Sequence, residues 1–221
     1  MKKIIILLIL ILIIPFFLTG CYDSISLEKF YYAVAIAIDS SKSSDIKLSV
    51  QIATSSSHKS DSSSQSNEYA IYSVDCENLD TGINILNNYL SKQINLSHCS
   101  AIIFSEELAK KGIGKYINTL ANNPEIRPTV NLIISNTTGY DVLENVSNSG
   151  ENFSARYYEF IIKTINHTGY SINSQFGRFF YDMNSNLNDT LTNYVIVNNK
   201  IVQSVGIALF KEDKLIGNLS P

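Results

Sequence analysis

A run of seven residues, Ala33 to Asp39, constrains the fold more than any other part of this sequence. Branched apolar side chains stand at its even positions and alanine stands at its odd positions, until Asp39 ends the run. Neighbouring residues of a strand point to opposite faces, so both faces of this strand would be apolar. Such a strand needs cover on both sides, which is typical of a central strand in a sheet flanked by helices.

Other segments show the patterns of strands with at least one buried face. Residues 46–52 alternate apolar with polar side chains, which predicts a strand with one wet face after a polar turn at 40–45. Further strands are predicted at 68–75, 99–104, 129–135, 194–197, 201–210 and 215–216.

Apolar residues at helical spacing lie between these strands. The stripe Ile83, Leu86, Leu90 and Ile94 predicts a first helix, with Asp80 or Thr81 as its N-cap. Ser105 is predicted to cap a second helix that ends at Gly112. Further helices are predicted at 113–123, 140–146 and 154–168, whereas 171–192 is rich in Asn and ambiguous. Strands alternating with helices predict a mixed α/β fold, with a central sheet and flanking helices.

The predicted elements divide into a larger and a smaller part. Residues 21–192 are expected to form an N-terminal mixed α/β domain. Within it, residues 55–66 contain eight serines and are expected to form a mobile loop, because they bury too little apolar surface to order themselves. Residues 193–221 are expected to be the β-hairpin start of a second, truncated domain. No predicted element covers this hairpin, and a hairpin without cover is only marginally stable.

The N-terminus has the pattern of a secretory signal. Lys2 and Lys3 precede an apolar run over residues 4–18 that contains Pro15. A helix that stays in the membrane needs roughly 20 apolar residues, and this run is shorter. The pattern therefore predicts a signal peptide at residues 1–20 that is cleaved off.

The end of this segment predicts a lipid anchor. Leu18, Thr19 and Gly20 followed by Cys21 closely resemble the bacterial lipobox, in which the cysteine thiol takes a diacylglycerol before cleavage. Cys21 is therefore the predicted lipidation site. Palmitate and similar chains on its thiol and amino group would hold the protein on the outer face of a bacterial membrane, because each buried methylene contributes about 0.8 kcal/mol.

The charge of the mature chain excludes some partners. Cleavage after residue 20 takes away two of the 17 basic residues and none of the 20 acidic residues. The remaining lysines and arginines are scattered singly, whereas nucleic acid binding requires them clustered. We expect no nucleic acid partner and no attraction of anionic lipid by surface charge, so that membrane contact comes from Cys21.

The residues that often perform catalysis or bind metals show no arrangement for either. His58, His98 and His167 have no partner at metal-ligand spacing, and His98 and Cys99 point to opposite faces as neighbours in a strand. Two adjacent glutamates at 106 and 107 are placed where a helix dipole favours acids. No catalytic residue, metal or cofactor is therefore predicted.

The two remaining cysteines, Cys76 and Cys99, have two interpretations. A disulfide between them is compatible with an extracytoplasmic location. Two buried thiols are the alternative that we favour, because the spacing along the chain cannot establish a bond.

Several blocks of this sequence, in order, resemble the Ger(x)C family of spore germination lipoproteins. These are Gly20 to Asp23, Ala35 to Asp39, Leu48 to Ala53, Leu96 to His98, Ile102 to Ile113, Asn123 to Arg127, Val205 to Lys211 and Asp213 to Leu219. Tyr22 stands where the family usually has Trp, and Asn122 and Asn123 stand where it usually has Arg and Asp. Family members continue beyond the last block into a larger C-terminal α/β domain.

The resemblance implies a function. It implies a non-enzymatic C subunit of a nutrient germinant receptor, required for spore germination, with a multipass A subunit and a B subunit as partners at the spore inner membrane. A face formed by Glu106, Glu107, Glu125 and Arg127 is the candidate partner contact. The alternative function is that of a solute-binding lipoprotein of a transporter, which has the same anchor and fold class but needs two lobes around a cleft.

Overall fold

The computed structural model describes residues 2–5, 27–53, 69–146, 158, 169, 171–185 and 189–220. Three predicted features lie outside these residues: the lipobox with Cys21, the serine-rich stretch 55–66 and most of the helix at 154–168.

The elements alternate as the sequence patterns predict. The strands are β1 Phe30–Ser40, β2 Ile46–Ala53, β3 Tyr69–Cys76, β4 Gln93–Asn95, β5 Ala101–Ser105, β6 Asn131–Ser135, β7 Thr190–Asn198, β8 Ile201–Lys211 and β9 Lys214–Leu219. The described α-helices are α1 Leu79–Tyr89, α2 Glu106–Lys111, α3 Gly114–Asn122, α4 Gly139–Asn145 and α5 Phe176–Asn184, and a 3₁₀ turn Leu27–Lys29 leads into β1.

The nine strands in the described part of the chain belong to one sheet in the order β3-β2-β1-β5-β6-β7-β8-β9, with β4 paired to the start of β1. Strands β1, β5, β6 and β7 run parallel to one another, and the remaining pairings along this order are antiparallel. Strand β1 lies inside the sheet, and Ala33, Ala35 and Ala37 are fully buried. The predicted fold class, a mixed α/β fold with a central sheet and flanking helices, is confirmed.

The two faces of the sheet bury separate apolar clusters. On one face, Ile36 and Ile38 of β1 belong to a cluster with residues of α1, α3 and α5. On the other face, Ala35 and Ala37 belong to a cluster with Val142 of α4 and with Tyr158. The cover on both sides explains why β1 has no wet face.

Helix α1 is shorter than its apolar stripe predicts. It begins after Asn78, whose side chain accepts a hydrogen bond from the backbone N–H of Thr81 at 2.9 Å. The helix ends at Tyr89, so the prediction that it continues to Ile94 is wrong. The backbone N–H of Ile94 donates instead to the side chain of Asn87 at 2.8 Å, and Ile94 pairs with β1 as a strand residue.

The segment that the sequence left ambiguous, 171–192, contains α5. Phe179 of this helix is buried and packs edge-on against Phe210 of β8, with ring centroids 5.1 Å apart. Edge-to-face packing of this kind adds to the stabilisation from burial alone.

The closing strands continue the sheet. Strand β7 pairs in parallel with β6, and β8 and β9 follow it in antiparallel order. Phe210 and Leu215 are buried in the cluster shared with α3 and α5. The hairpin is therefore covered, in contrast to what its sequence pattern indicated, and the assignment of residues 193–221 to a second domain stays a prediction.

The turn between β8 and β9 is fastened to the start of α3. The backbone carbonyl of Asp213 accepts from the N–H of Ile113 at 3.0 Å, and its Oδ2 accepts from the N–H of Gly114 at 3.2 Å. Ile113 is the N-cap residue of α3 and makes no side-chain cap of its own. Gly112 has a φ of 118° and lies so close to Asp213 that a Cβ would come within 2.8 Å of Oδ2. Asp213 therefore replaces the missing local cap.

We expect the substitution Asp213→Ala to lower the free energy of unfolding by about 1–2 kcal/mol, the usual cost of losing an N-cap acceptor. Urea unfolding of the full chain in detergent measures this value. Glu212→Ala removes the same charge from the neighbouring exposed position and serves as the control, with an expected change below about 0.5 kcal/mol. Equal effects of the two substitutions would show that charge, and not the cap, is responsible.

Candidate functional site

The predicted lipidation site, Cys21 with the lipobox residues Leu18, Thr19 and Gly20, lies outside the described residues and stays a prediction. None of the helices in the described part of the chain has the length and apolar character needed to cross a bilayer.

The four charged residues predicted as a partner contact lie in two separate pairs. Glu106 and Glu107 begin α2, directly after the carboxyl end of β5. The side chains of Glu125 and Arg127 instead contact the backbone of Leu96 and Cys99, which precede the amino end of β5. Strand β5 has five residues and separates the two pairs by roughly 15 Å. The four residues thus form two pairs at opposite ends of β5, and their role as a partner contact stays a prediction.

Glu106 connects α2 to β7. One of its carboxylate oxygens lies 2.5 Å from Nζ of Lys110, and the other accepts a hydrogen bond from the hydroxyl of Tyr194. Partial burial of Glu106 would raise its pKa, but the hydrogen bonds from Lys110 and Tyr194 outweigh burial and hold the pKa below its usual range. Burial and the neighbouring carboxylate raise the pKa of Tyr194. This arrangement keeps Glu106 ionised, which suits a structural contact and not a proton donor.

Glu125 also has a structural role. Its Oε2 accepts from the backbone N–H of Leu96 at 2.8 Å, and its Oε1 accepts from the side-chain amide of Asn95 at 3.1 Å. Glu125 therefore holds the segment that joins β4 to β5. Glu107 and Arg127 are more exposed, although Glu107 lies 2.7 Å from Nζ of Lys111 and Arg127 donates to the carbonyl of Cys99 at 3.3 Å.

His98 and Cys99 do not form a nucleophile and base. The ring of His98 packs edge-on against Tyr32, with centroids 4.8 Å apart. Cys99 is fully buried, and its thiol donates to the carbonyl of Ala101 at 3.2 Å. Burial raises the pKa of the Cys99 thiol to about 12, which disfavours the thiolate. Cys76 and Cys99 are both buried and free, so the interpretation as two buried thiols is confirmed.

A buried carboxylate lies where β1 and β5 end. Asp39 is 2% exposed, and its two oxygens accept from the backbone N–H groups of Gly139 at 2.6 Å and Tyr140 at 3.1 Å, at the start of α4. The hydroxyl of Ser105 favours the charged form of Asp39 and so acts to lower its pKa. Ser105 itself caps α2 by accepting from the N–H of Leu108, so Asp39 and Ser105 stand at the starts of two helices on opposite faces of the sheet.

The hydrogen bonds between Asp39 and the start of α4 require close packing of α4 on β1. A Cβ on Gly139 would lie 2.8 Å from the Cβ of Ala37 and 3.2 Å from Cγ2 of Ile103. Burial raises the pKa of Asp39, and the hydrogen bonds from the backbone only partly oppose this effect. All of these contacts are internal, so Asp39 serves to position helices. No role was predicted for Asp39, although an acid directly after a buried apolar run is a sign that the carboxylate needs hydrogen-bond partners.

The described residues offer few other sites. No group of three metal-ligating side chains occurs among them. A surface depression with a volume of about 560 Å³ lies at the end of the sheet where the chain enters β1. Its lining residues are Glu28, Lys29, Asn87, Leu90, Ser91, Lys92 and Gln93.

Known proteins of spore germination are similar to this chain. The family model described as spore germination protein N-terminal domain matches residues 23–197. Spore germination protein GerQC of Bacillus cereus is 25% identical over 216 residues, which cover 96% of this chain and 57% of GerQC. The crystal structure of the GerBC protein matches with 18% identity and a TM-score of 0.42, covering 84% of this chain and 51% of that chain. The chain thus spans little more than half the length of these two relatives.

Proposed function

Because the chain belongs to the spore germination protein N-terminal domain family, we propose that it is a lipid-anchored, non-catalytic subunit of a nutrient germinant receptor. In this proposal Cys21 carries the lipid, the protein lies on the outer face of the spore inner membrane, and its partners are the A and B subunits of the receptor. The observation that carries the proposal is the family match, which begins two residues after Cys21.

The side-chain contacts support a role without catalysis. Two of the acids predicted as partner contacts, Glu106 and Glu125, accept hydrogen bonds that hold neighbouring elements together. Asp39 caps a helix, and the thiol of Cys99 is buried. Each of these groups stabilises the fold, so none is available to a substrate. The match to a germination family gives no support to the alternative role in a transporter, which we do not propose.

The substitution Cys21→Ser tests the anchor. We expect the variant to lose incorporation of radiolabelled palmitate and to move from the membrane fraction to the soluble fraction, because the thiol that takes the diacylglycerol is gone. Cys76→Ser is the matched control. It makes the same substitution at another cysteine and leaves Cys21 unchanged, so this variant should stay labelled and membrane-bound. Retention of unlabelled Cys21→Ser protein in the membrane would overturn the anchor.

Partner contact is proposed at Glu107 and Arg127, the two exposed members of the predicted set. Because they lie at opposite ends of β5, a partner at one of them need not touch the other. We expect Arg127→Ala or Glu107→Ala to reduce copurification with the A and B subunits by about fivefold or more, the effect of losing roughly 1 kcal/mol at an interface. Lys47→Ala, on β2, is the surface control. Unchanged copurification of both variants would exclude these residues from the interface.

A further inference from the structure

The end of the sheet at which the chain enters β1 carries basic and aromatic side chains. The depression there is lined by Lys29 and Lys92 among others. The Nζ of Lys92 lies over the ring of Tyr31, 5.5 Å from its centroid, and the hydroxyl of Tyr31 hydrogen-bonds the side chain of Ser91. Tyr89, the last residue of α1, is 67% exposed at the same end. We call Lys29, Tyr31, Tyr89 and Lys92 the entry surface.

The strand register brings the two lysines together. Phe30 of β1 pairs in parallel with Gln93 of β4, and Lys29 and Lys92, which directly precede these two residues, line the same depression. Two positive charges that line one depression repel each other. Glu28 lines the same depression and supplies one opposing charge. The lining therefore keeps a net positive charge, which an anionic group would neutralise.

The length of the chain places this end of the domain near the predicted anchor. Six Cα–Cα steps separate Cys21 from Leu27, the first residue of the 3₁₀ turn, and they reach at most roughly 20 Å. Strand β1 contains 11 residues and spans roughly 35 Å. The turn between β1 and β2 is therefore beyond the reach of the segment that joins Cys21 to Leu27, whereas the entry surface is within it.

We infer that the entry surface rests against the membrane that holds the anchor, and that Lys29 and Lys92 bind the phosphate groups of anionic phospholipids. The inference rests on the proposed anchoring at Cys21. Tyr31 and Tyr89 suit this position, because tyrosine is enriched where a protein meets the headgroup region. Surface charge thus contributes locally to membrane contact, although the mature chain as a whole is acidic.

Fluorescence quenching in vesicles tests this orientation with the full lipidated chain. A fluorophore is attached to Asn88→Cys, at the exposed end of α1, or to Ser43→Cys, in the turn between β1 and β2. The native Cys76 and Cys99 are buried, and a lipidated Cys21 has no free thiol. The vesicles contain phosphatidylglycerol and phosphatidylethanolamine with a headgroup-spin-labelled phospholipid as the quencher, and phosphatidylcholine vesicles provide the uncharged comparison.

We expect strong quenching of the probe at position 88 and little at position 43. Lys29→Gln combined with Lys92→Gln should lower the ratio of membrane-contacting to free domains by about 25-fold, fivefold for each lysine near an anionic surface. The probe at position 88 would then be quenched little more than the probe at 43. Phosphatidylcholine vesicles should have the same effect. The control pair Lys42→Gln and Lys47→Gln should leave quenching unchanged.

Three results would overturn the inference. Equal quenching at both positions in vesicle-bound protein would exclude the orientation, and quenching insensitive to both lysines would exclude their binding to phosphate. Protection of the probe at 88 from lipid and water-soluble quenchers alike would indicate a protein partner on this surface. Protein that does not bind vesicles at all would instead contradict the anchor at Cys21, and with it the proposed function.

Discussion

Replacing Asp39 by alanine is expected to lower the free energy of unfolding by about 3 kcal/mol. The substitution leaves the N–H groups of Gly139 and Tyr140 without their acceptor at a buried helix start, and each buried unsatisfied donor costs about 1–3 kcal/mol. Urea unfolding of the full chain in detergent measures the loss. Asp45→Ala, which removes an exposed carboxylate paired with Lys115, should change stability by less than about 1 kcal/mol.

The effect of Asp39→Ala should depend on pH. Burial raises the pKa of Asp39 in the folded chain above the ordinary value of 3.8. At a pH between 3.8 and the higher pKa of the folded chain, the folded state keeps a proton that the unfolded state releases. The stability that Asp39 contributes is therefore greatest below pH 3.8 and falls as pH rises through the folded pKa. We expect the difference between the native chain and the variant to be larger at about pH 3.5 than at about pH 7. A difference that grows with pH would contradict this assignment.

The second large effect is expected for Gly139→Ala, with a loss of about 2 kcal/mol in the free energy of unfolding. The added Cβ would overlap Ala37 and Ile103, and overpacking of a core usually costs about 1–3 kcal/mol. This cost outweighs the gain of up to about 1 kcal/mol that alanine brings to a helix. Gly217→Ala is the matched control, because a Cβ there meets nothing within 4 Å.

A double substitution separates overlap from a general loss of helix structure. Ala37→Gly removes the atom that the new Cβ would meet. If overlap is the cause, Gly139→Ala combined with Ala37→Gly should lose less stability than the sum of the two single substitutions, because contacting positions are not additive. Strict additivity would show that Gly139 is required for another reason.

The sequence was sufficient where a structural signal is local. Helix α2 begins after Ser105 and ends before Gly112 as predicted, because an N-cap acceptor and a glycine at the end act within one turn. Strand β1 was predicted from its own pattern, because apolar side chains on both of its faces indicate that both faces are covered. The fold class follows from the order of such segments.

The sequence was insufficient where distant residues supply a contact. Helix α1 stops before Ile94 because pairing with β1 competes with the helix, which an apolar stripe cannot reveal. The partners of Asp39 are 100 and 101 positions away along the chain. For the same reason Glu125 was predicted as a surface charge, although it holds the backbone of Leu96.

The fastening of Asp213 to the start of α3 has a consequence for folding kinetics. The residues that it joins are 99 positions apart, so the chain must close a long loop before the contact forms. Contacts between distant residues slow folding, because their entropic cost is met before they stabilise anything. We therefore expect α3 to gain its cap late, after the central strands have paired, and the whole sheet to be completed in one slow cooperative step.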